Sequence, residues 1–288
     1  SFRAPAVSEL FSPQGNAFST VPQTSENVDA GQNPDIRARN CAAFLAAFPN
    51  ANQDPSGGAT IPILTGGNPT LDNEEADAWT IGVVLQPRFL DRLVLAVDYL
   101  NINLTQPINS LTVADIVTGC FDNPDFDLSD PANGNEFCSL IRRNAAGTQG
   151  PLEDGSTGDT GGFVINDPLN PGVTTGFING VEQNFEGLQG VLSWRMNEFL
   201  GGPGDLTLSG NALYVIKRDF NDLGVQVDRT DGTYGDPTFS ATLNVRYNTD
   251  DFGGLFTTRF TGRQLATRDG DLDIDIREIN RRDAYALF

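Results

Sequence analysis

The chain has no histidine among its 288 residues. That removes the Ser-His-Asp triad, the Cys-His pair and any His-containing zinc site. Neither a P-loop nor a GxGxxG stretch occurs, so no phosphate cradle of those kinds is expected. Three cysteines are too few for a Cys₄ metal site. Cations are scarce as well: 18 Lys and Arg face 38 Asp and Glu, a formal charge of −20. Phosphate binding needs a basic stripe, so this balance argues against a nucleic-acid partner and against an anionic membrane surface. The longest apolar run, Cys41 to Phe48, is too short to cross a bilayer as a helix. No signal peptide opens the chain, which starts at Ser1-Phe2-Arg3 and stops in a strand-like segment at Phe288. The expectation is a segment of a longer polypeptide, cut at both ends.

Alternation of apolar and polar residues with period two is abundant. It predicts strands over 76–87, 91–105, 176–196, 205–219, 237–248, 254–267 and 282–288. In 237–248, Phe239, Ala241, Leu243, Val245 and Tyr247 share one face, while Ser240, Thr242, Asn244 and Arg246 share the other. The polar faces carry Thr, Ser, Asn, Gln and Arg rather than the Lys and Glu of a solvated sandwich face. Aromatic residues Trp79, Tyr99, Trp194, Tyr214 and Tyr247 fall near strand ends on the apolar face, as in the girdles of a membrane barrel. The connectors alternate too. Those at 88–90, 197–204 and 249–253 are short; 106–175, 220–236, 268–281 and the leading 1–74 are longer. Short turns at one end and long loops at the other are the pattern of a transmembrane β-barrel, and a soluble sheet has no reason for it.

The long connectors carry structure and charge. Helical character is expected over Asp35–Phe48, over Thr112–Cys120 with Thr112 as N-cap, and for a turn or two within Glu136–Arg143. Residues 106–175 hold ten acidic and two basic side chains. Cys120 and Cys138 flank an acidic loop and read as a disulfide in an oxidising compartment, while Cys41 is left over. Asp269, Asp271, Asp273 and Asp275, and likewise Asp122, Asp125, Asp127 and Asp130, have oxygens that Ca²⁺ favours. Both sets read as solvated acidic loops instead. On the polar faces, Arg195, Arg246, Arg259 and Arg263 either contact something inside a barrel or pair with neighbouring strands.

Four stretches carry a resemblance. Ser1-Phe2-Arg3-Ala4-Pro5 through Glu9-Leu10-Phe11 resembles the "FRAP…ELF" signature of TonB-dependent outer-membrane receptors. Gly67-Asn68-Pro69-Thr70-Leu71-Asp72-Asn73-Glu74, followed by Gly82, resembles that family's "GNPxLxPE…G", with Asn73 in place of the usual proline. Val97–Ile102 is similar to the strand that follows, and Cys120…Phe137–Ile141 with Arg143-Asn144 to a recurrent loop. The four lie in the expected order over nearly the whole chain.

The resemblance implies an all-β fold: a partial antiparallel transmembrane β-barrel, a segment of a barrel of about 22 strands closed around a plug, with long extracellular loops carrying short helices. Residues 1–288 would be the C-terminal portion of that barrel, with the plug and the TonB box outside the chain. It implies location in the bacterial outer membrane. The implied partners are TonB, the receptor's own plug domain, outer-membrane lipid and a scarce small-molecule ligand: siderophore-iron, a vitamin or an oligosaccharide. No cofactor, catalytic residue or metal ligand is identified, nor any residue that binds the ligand; loops 1–74 and 106–175 are where its site is expected. A passive porin-like channel is the second expectation, and a secreted β-rich adhesin or carbohydrate-binding module the third.

Overall fold

The structure, a computed structural model, describes residues 1–20, 34–54, 59–225, 227–265 and 279–287. Its main sheet runs in strict sequence order: β1 (Phe2–Arg3), β2 (Glu74–Leu85), β3 (Leu93–Thr105), β4 (Glu182–Met196), β5 (Asp205–Asn221), β6 (Phe239–Asn248), β7 (Gly253–Gln264) and β8 (Ile279–Leu287). Every neighbouring pair is antiparallel, and a two-residue strand, Asp228–Arg229, adds to β5. An up-and-down meander of this kind brings all its short turns (86–92, 197–204, 249–252) to one end and all its long connections to the other. The sheet is open: among the described residues β1 and β8 do not pair with each other.

Directly opposed residues of an antiparallel pair share a face, so the register settles which side each residue takes. One row reads Ile81–Tyr99–Leu188–Tyr214–Phe239, and another Leu85–Leu95–Leu192–Gly210–Leu243–Thr258. A third joins Leu93, Trp194, Leu208, Val245 and Phe256. All lie on one face, which is apolar from Leu206 to Tyr214 along β5. That stretch is about 26 Å at ~3.3 Å per residue, and strand tilt brings it near the ~25 Å apolar band of a transmembrane barrel. Trp79, Tyr99 and Tyr214 lie at the loop end of this band; Trp194 and Tyr247 lie at the turn end. Level with Trp79 at the loop-end girdle the same face turns polar at Asn101, Glu186 and Lys217. The apolar side is uncovered: Trp79 is 53 % exposed and Ile81 65 %. An apolar patch this extensive needs a non-aqueous neighbour.

The expected strands are found with ends shifted by a few residues, and one differs in kind. Segment 176–196 is two strands. Phe177–Asn179 leaves the wall to pair with Ile108–Ser110, and β4 starts only at Glu182. Gly180 separates the two, and its N–H donates to the Pro107 carbonyl at 2.7 Å.

The chain's hydrophobic core lies in the loops. Helices α2 (Pro34–Ala47), α3 (Val113–Phe121) and α4 (Glu136–Ser139) pack with a small sheet whose strands are Gly15–Thr20, Thr60–Thr65 and Val173–Thr174. Phe44, Ile61, Ile116, Phe121 and Val173 are each at most 1 % exposed there. A short five-residue helix, α1 (Val7–Phe11), sits outside this core. Thr112 caps α3 as expected: its Oγ1 accepts from the Asp115 N–H at 3.2 Å, and the Asp115 carboxylate accepts from the Thr112 N–H at 2.8 Å.

Candidate functional site

Three parts of the chain bear on function: a motif-built clip, the loop subdomain it anchors, and the polar inner face of the wall.

The clip explains the two signature stretches. Phe2–Arg3 pairs with Glu74–Glu75, and Arg3 bonds to both Glu74 and Glu9. The other Glu74 oxygen accepts from the Ile108 N–H at 2.7 Å. The Asn68 N–H donates to the Glu9 carbonyl at 2.7 Å, and its side-chain amide donates to the Phe177 carbonyl at 2.9 Å. Glu74, through its carboxylate, and Asn68, through its backbone N–H and its carboxamide, thus tie the first strand, α1 and both ends of loop 106–181 together. Gly67 is required by proximity: a Cβ there would sit 2.6 Å from the Ser12 nitrogen and 2.7 Å from the Leu10 carbonyl oxygen. The bond to Glu74 holds Arg3 above the usual arginine range, and the Arg3 guanidinium in turn holds Glu74 below the usual carboxylate range.

In the loop subdomain, Cys120 and Cys138 form the expected disulfide. Asn135 brings the two together. Its Oδ1 accepts from the Cys138 N–H at 3.1 Å, and its Nδ2 donates to the Gly119 and Cys120 carbonyls at 3.0 Å. Cys41 is buried in the same core. Asp122 departs from the sequence expectation. It is no hydrated loop residue but fully buried, in an ion pair with the equally buried Arg37. The neighbouring Asn40 amide takes up the Phe121 and Asn123 carbonyls at 2.8 and 2.9 Å. A buried pair persists only when its remaining polar neighbours are satisfied too. Asp125, Asp127 and Asp130 stay on the surface; the Ser129 hydroxyl and N–H hold Asp127 below the usual range. Asp269, Asp271, Asp273 and Asp275 lie outside the described residues.

Arg143 is a second cation drawn into this core, half-buried. Its guanidinium lies 4.6 Å from the Phe44 ring centre and donates to the Gly162 carbonyl at 3.0 Å. Burial pulls its pKa down to about 10, against the opposing pull of Asp54, so it stays charged at neutral pH. Sequence reading picked out Arg143 only as part of a motif and missed Arg37 altogether. For Arg143 the one available signal was a basic residue within a strongly acidic region, and for Arg37 there was none.

On the inner face the register puts Arg195, Thr207 and Arg246 in one row near the short turns. Arg195 pairs with Asp205 at 3.1 Å, as a neighbouring-strand ion pair should. Arg259 shares this face but lies opposite Thr242, higher in the wall; Arg263 lies past Thr261, where the register with β8 shifts. Arg195, Arg246 and Arg259 therefore face one side without forming one cluster. Gly82 faces them too; a Cβ there would meet the Asp98 carboxylate.

Fold and faces together define a class: a wall segment of a transmembrane β-barrel, open in this chain, with a structured loop assembly at one end. Among solved structures, the chain is similar to the siderophore receptor PirA from Acinetobacter baumannii, with 10 % identity and a TM-score of 0.41, covering 78 % of this chain and 26 % of that one. It is similar to the ferric enterobactin receptor PfeA from Pseudomonas aeruginosa, with 16 % identity and a TM-score of 0.42, covering 78 % and 24 %. A third is the hemophore receptor HasR of Serratia marcescens, solved with its hemophore HasA and heme, at 18 % identity and a TM-score of 0.36, covering 77 % and 27 %. The chain spans about a quarter of the length of these structures. They are receptors, the class the sequence motifs resemble; at such TM-scores the likeness adds nothing to what the strand order and faces establish. No family model matches the chain, and neither does any curated protein.

Proposed function

We propose that this chain is part of the wall and outer loops of a TonB-dependent outer-membrane receptor that imports a scarce ligand, siderophore-bound iron being the leading candidate and a vitamin or oligosaccharide the others. The observation that carries this reading is the division of labour along the strands. A continuous apolar band with aromatic rims faces outward, a polar face looks inward, and every long connection lies at one end, where two of them fold around a common core. Lipid solvates the band, and the loop assembly presents a preformed surface to an arriving ligand. The motif clip supports the same reading, since the residues that carry the family resemblance hold that assembly to the wall.

A passive porin-like channel shares the wall but gives no reason for a buried ion pair and a disulfide above the pore. The experiment compares uptake of labelled ferric siderophores by cells with and without the full-length receptor, in strains with and without TonB. Uptake that needs both supports the proposal. Receptor-dependent diffusion that survives loss of TonB supports the channel, and a full-length protein that needs no detergent sinks both.

A further inference from the structure

A small cavity of about 100 Å³ lies where the loop assembly meets the loop end of the wall. Leu111 and Ile178 come to it from the loop side, Phe220 and Leu223 from the end of β5 and the turn after it. Leu111 is buried and the other three are half-buried. Three carboxylates stand around these apolar walls: Asp115 in the first turn of α3, Asp222 directly after β5, and Asp228 in the short strand that adds to β5. Among the described residues no lysine or arginine lines the cavity. Asp222 takes neutral donors, the Asn109 amide at 2.6 Å and the Gln183 side chain. Burial, and after it the charges of Asp115 and Asp228, disfavour its ionised form. Asp115 uses one oxygen, Oδ2, for both the Thr112 N–H and the Thr112 hydroxyl, at 2.8 and 2.7 Å.

We propose that this cavity binds a primary alkylammonium group carried by a small molecule. The walls define the ligand as much as the acids do. Carboxylates alone would suit a metal ion, yet among the described residues none are grouped to hold one. An ammonium at the end of a short methylene chain fits both parts. The chain lies along Leu111, Ile178, Phe220 and Leu223, and the three N–H donors meet carboxylate oxygens. The volume holds roughly three or four groups of ~30 Å³ each, which matches a propylammonium. The protein's own described side chains do not supply one: the single lysine of the sequence, Lys217, is paired with Asp219 at 2.8 Å. The cavity lies at the end of the wall where, on the proposed function, the ligand arrives, and the inference rests on that reading for the source of the amine alone.

The test uses the full-length receptor in detergent micelles and saturation-transfer NMR, with propylammonium as the probe. The expected dissociation constant is on the order of 1 mM, within what so small a ligand can supply. Methylammonium has the charge without the stem and should bind roughly tenfold more weakly, as the loss of its buried methylenes requires. 1-Propanol has the stem without the charge and should be weaker by at least a similar factor. Asp222→Asn keeps an acceptor for Asn109 and should weaken propylammonium roughly tenfold. Asp130→Asn alters an exposed loop acid that does not line the cavity and should change nothing. Equal affinities for methylammonium and propylammonium, or equal losses in the two variants, reduce the site to a diffuse acidic surface and overturn the proposal. So does the absence of saturable propylammonium binding, the result expected if a lysine of another polypeptide segment already fills the cavity. None of these outcomes touches the import reading, which stands or falls on TonB-dependent uptake.

Discussion

The assignment of faces is tested most sharply at Leu243. It lies midway along β6, four residues from Phe239 and four from Tyr247, on the apolar side opposite Gly210 and Thr258. Four residues are about 13 Å of strand. An arginine side chain reaches roughly half that, so Leu243→Arg leaves a guanidinium that cannot snorkel to either rim. Arginine on the lipid face at the bilayer midplane costs about 2–4 kcal/mol, or roughly 30- to 1,000-fold in the folding equilibrium. Thr242→Arg, one residue away, points to the inner face with Asn211 and Arg259. There water is available, and the expected cost is below ~1 kcal/mol. The assay is folding of the full-length protein into vesicles across a urea series, read as the fraction of heat-modifiable barrel on a gel. Equal losses for the two variants, or a larger loss for Thr242→Arg, would refute the orientation.

Other expectations concern the loops. Arg37→Ala strands the Asp122 carboxylate in an apolar core; removing one member of such a pair costs about 3–5 kcal/mol. Limited proteolysis should then cut within 34–54 or 113–141 while the barrel stays heat-modifiable, and unchanged cleavage would show that the pair is dispensable. Gly67→Ala forces its Cβ against backbone atoms of Leu10 and Ser12, for about 1–3 kcal/mol of overpacking, and should loosen residues 1–12 in hydrogen exchange. Cys120→Ser with Cys138→Ser removes a link that closes 18 residues, worth about 3 kcal/mol, and should lower the temperature of loop opening. Asp222 has its pKa raised, first by burial and then by Asp115 and Asp228. The folded state therefore disfavours its ionised form, and the penalty develops as pH rises through the unfolded carboxylate value near ~4. Asp222→Asn keeps an acceptor for the Asn109 amide, which donates to Asp222 at 2.6 Å. It should stabilise the loop at pH 7 and have no effect at pH 3; equal effects at both would rule out the electrostatic cause.

The wall was legible in the sequence because every one of its rules is local. Period two fixes the faces, and Tyr99, Tyr214 and Tyr247 fall on the predicted side because the side-chain alternation leaves no other choice. Thr112 announces α3 through a cap whose partner is three residues away. The loop core was not legible, since its contacts are long-range. Arg37 meets Asp122 across 85 residues, and Asn50 reaches the Asp159 carbonyl across 109. No periodicity encodes those meetings. The break at Gly180 was missed for a related reason: 176–196 alternates well enough to read as one strand, and only the pull of Ile108–Ser110 on Phe177–Asn179 divides it. Glu74 and Asn68 stood out as motif residues, yet their roles as ties appear only when both loops are folded.

A barrel wall gains little from packing against itself, since its apolar face turns outward and its inner face is polar. The closely packed apolar interior of this chain therefore has to lie elsewhere, and among the described residues it lies in the loops. On the proposed function, folding such an interior fixes the outer surface before a ligand arrives. A ligand that meets ordered loops does not have to pay for ordering them, so fewer contacts suffice for tight capture. The same economy explains the charged residues at the centre of the assembly. Arg37 and Asp122 contribute little net stability as a buried pair, but they and the half-buried Arg143 are satisfied only in this one arrangement of α2, α3 and the bridge between Arg143 and Val164. On the proposed function, residues that make wrong loop packings costly serve a recognition surface built from loops more than added stability would.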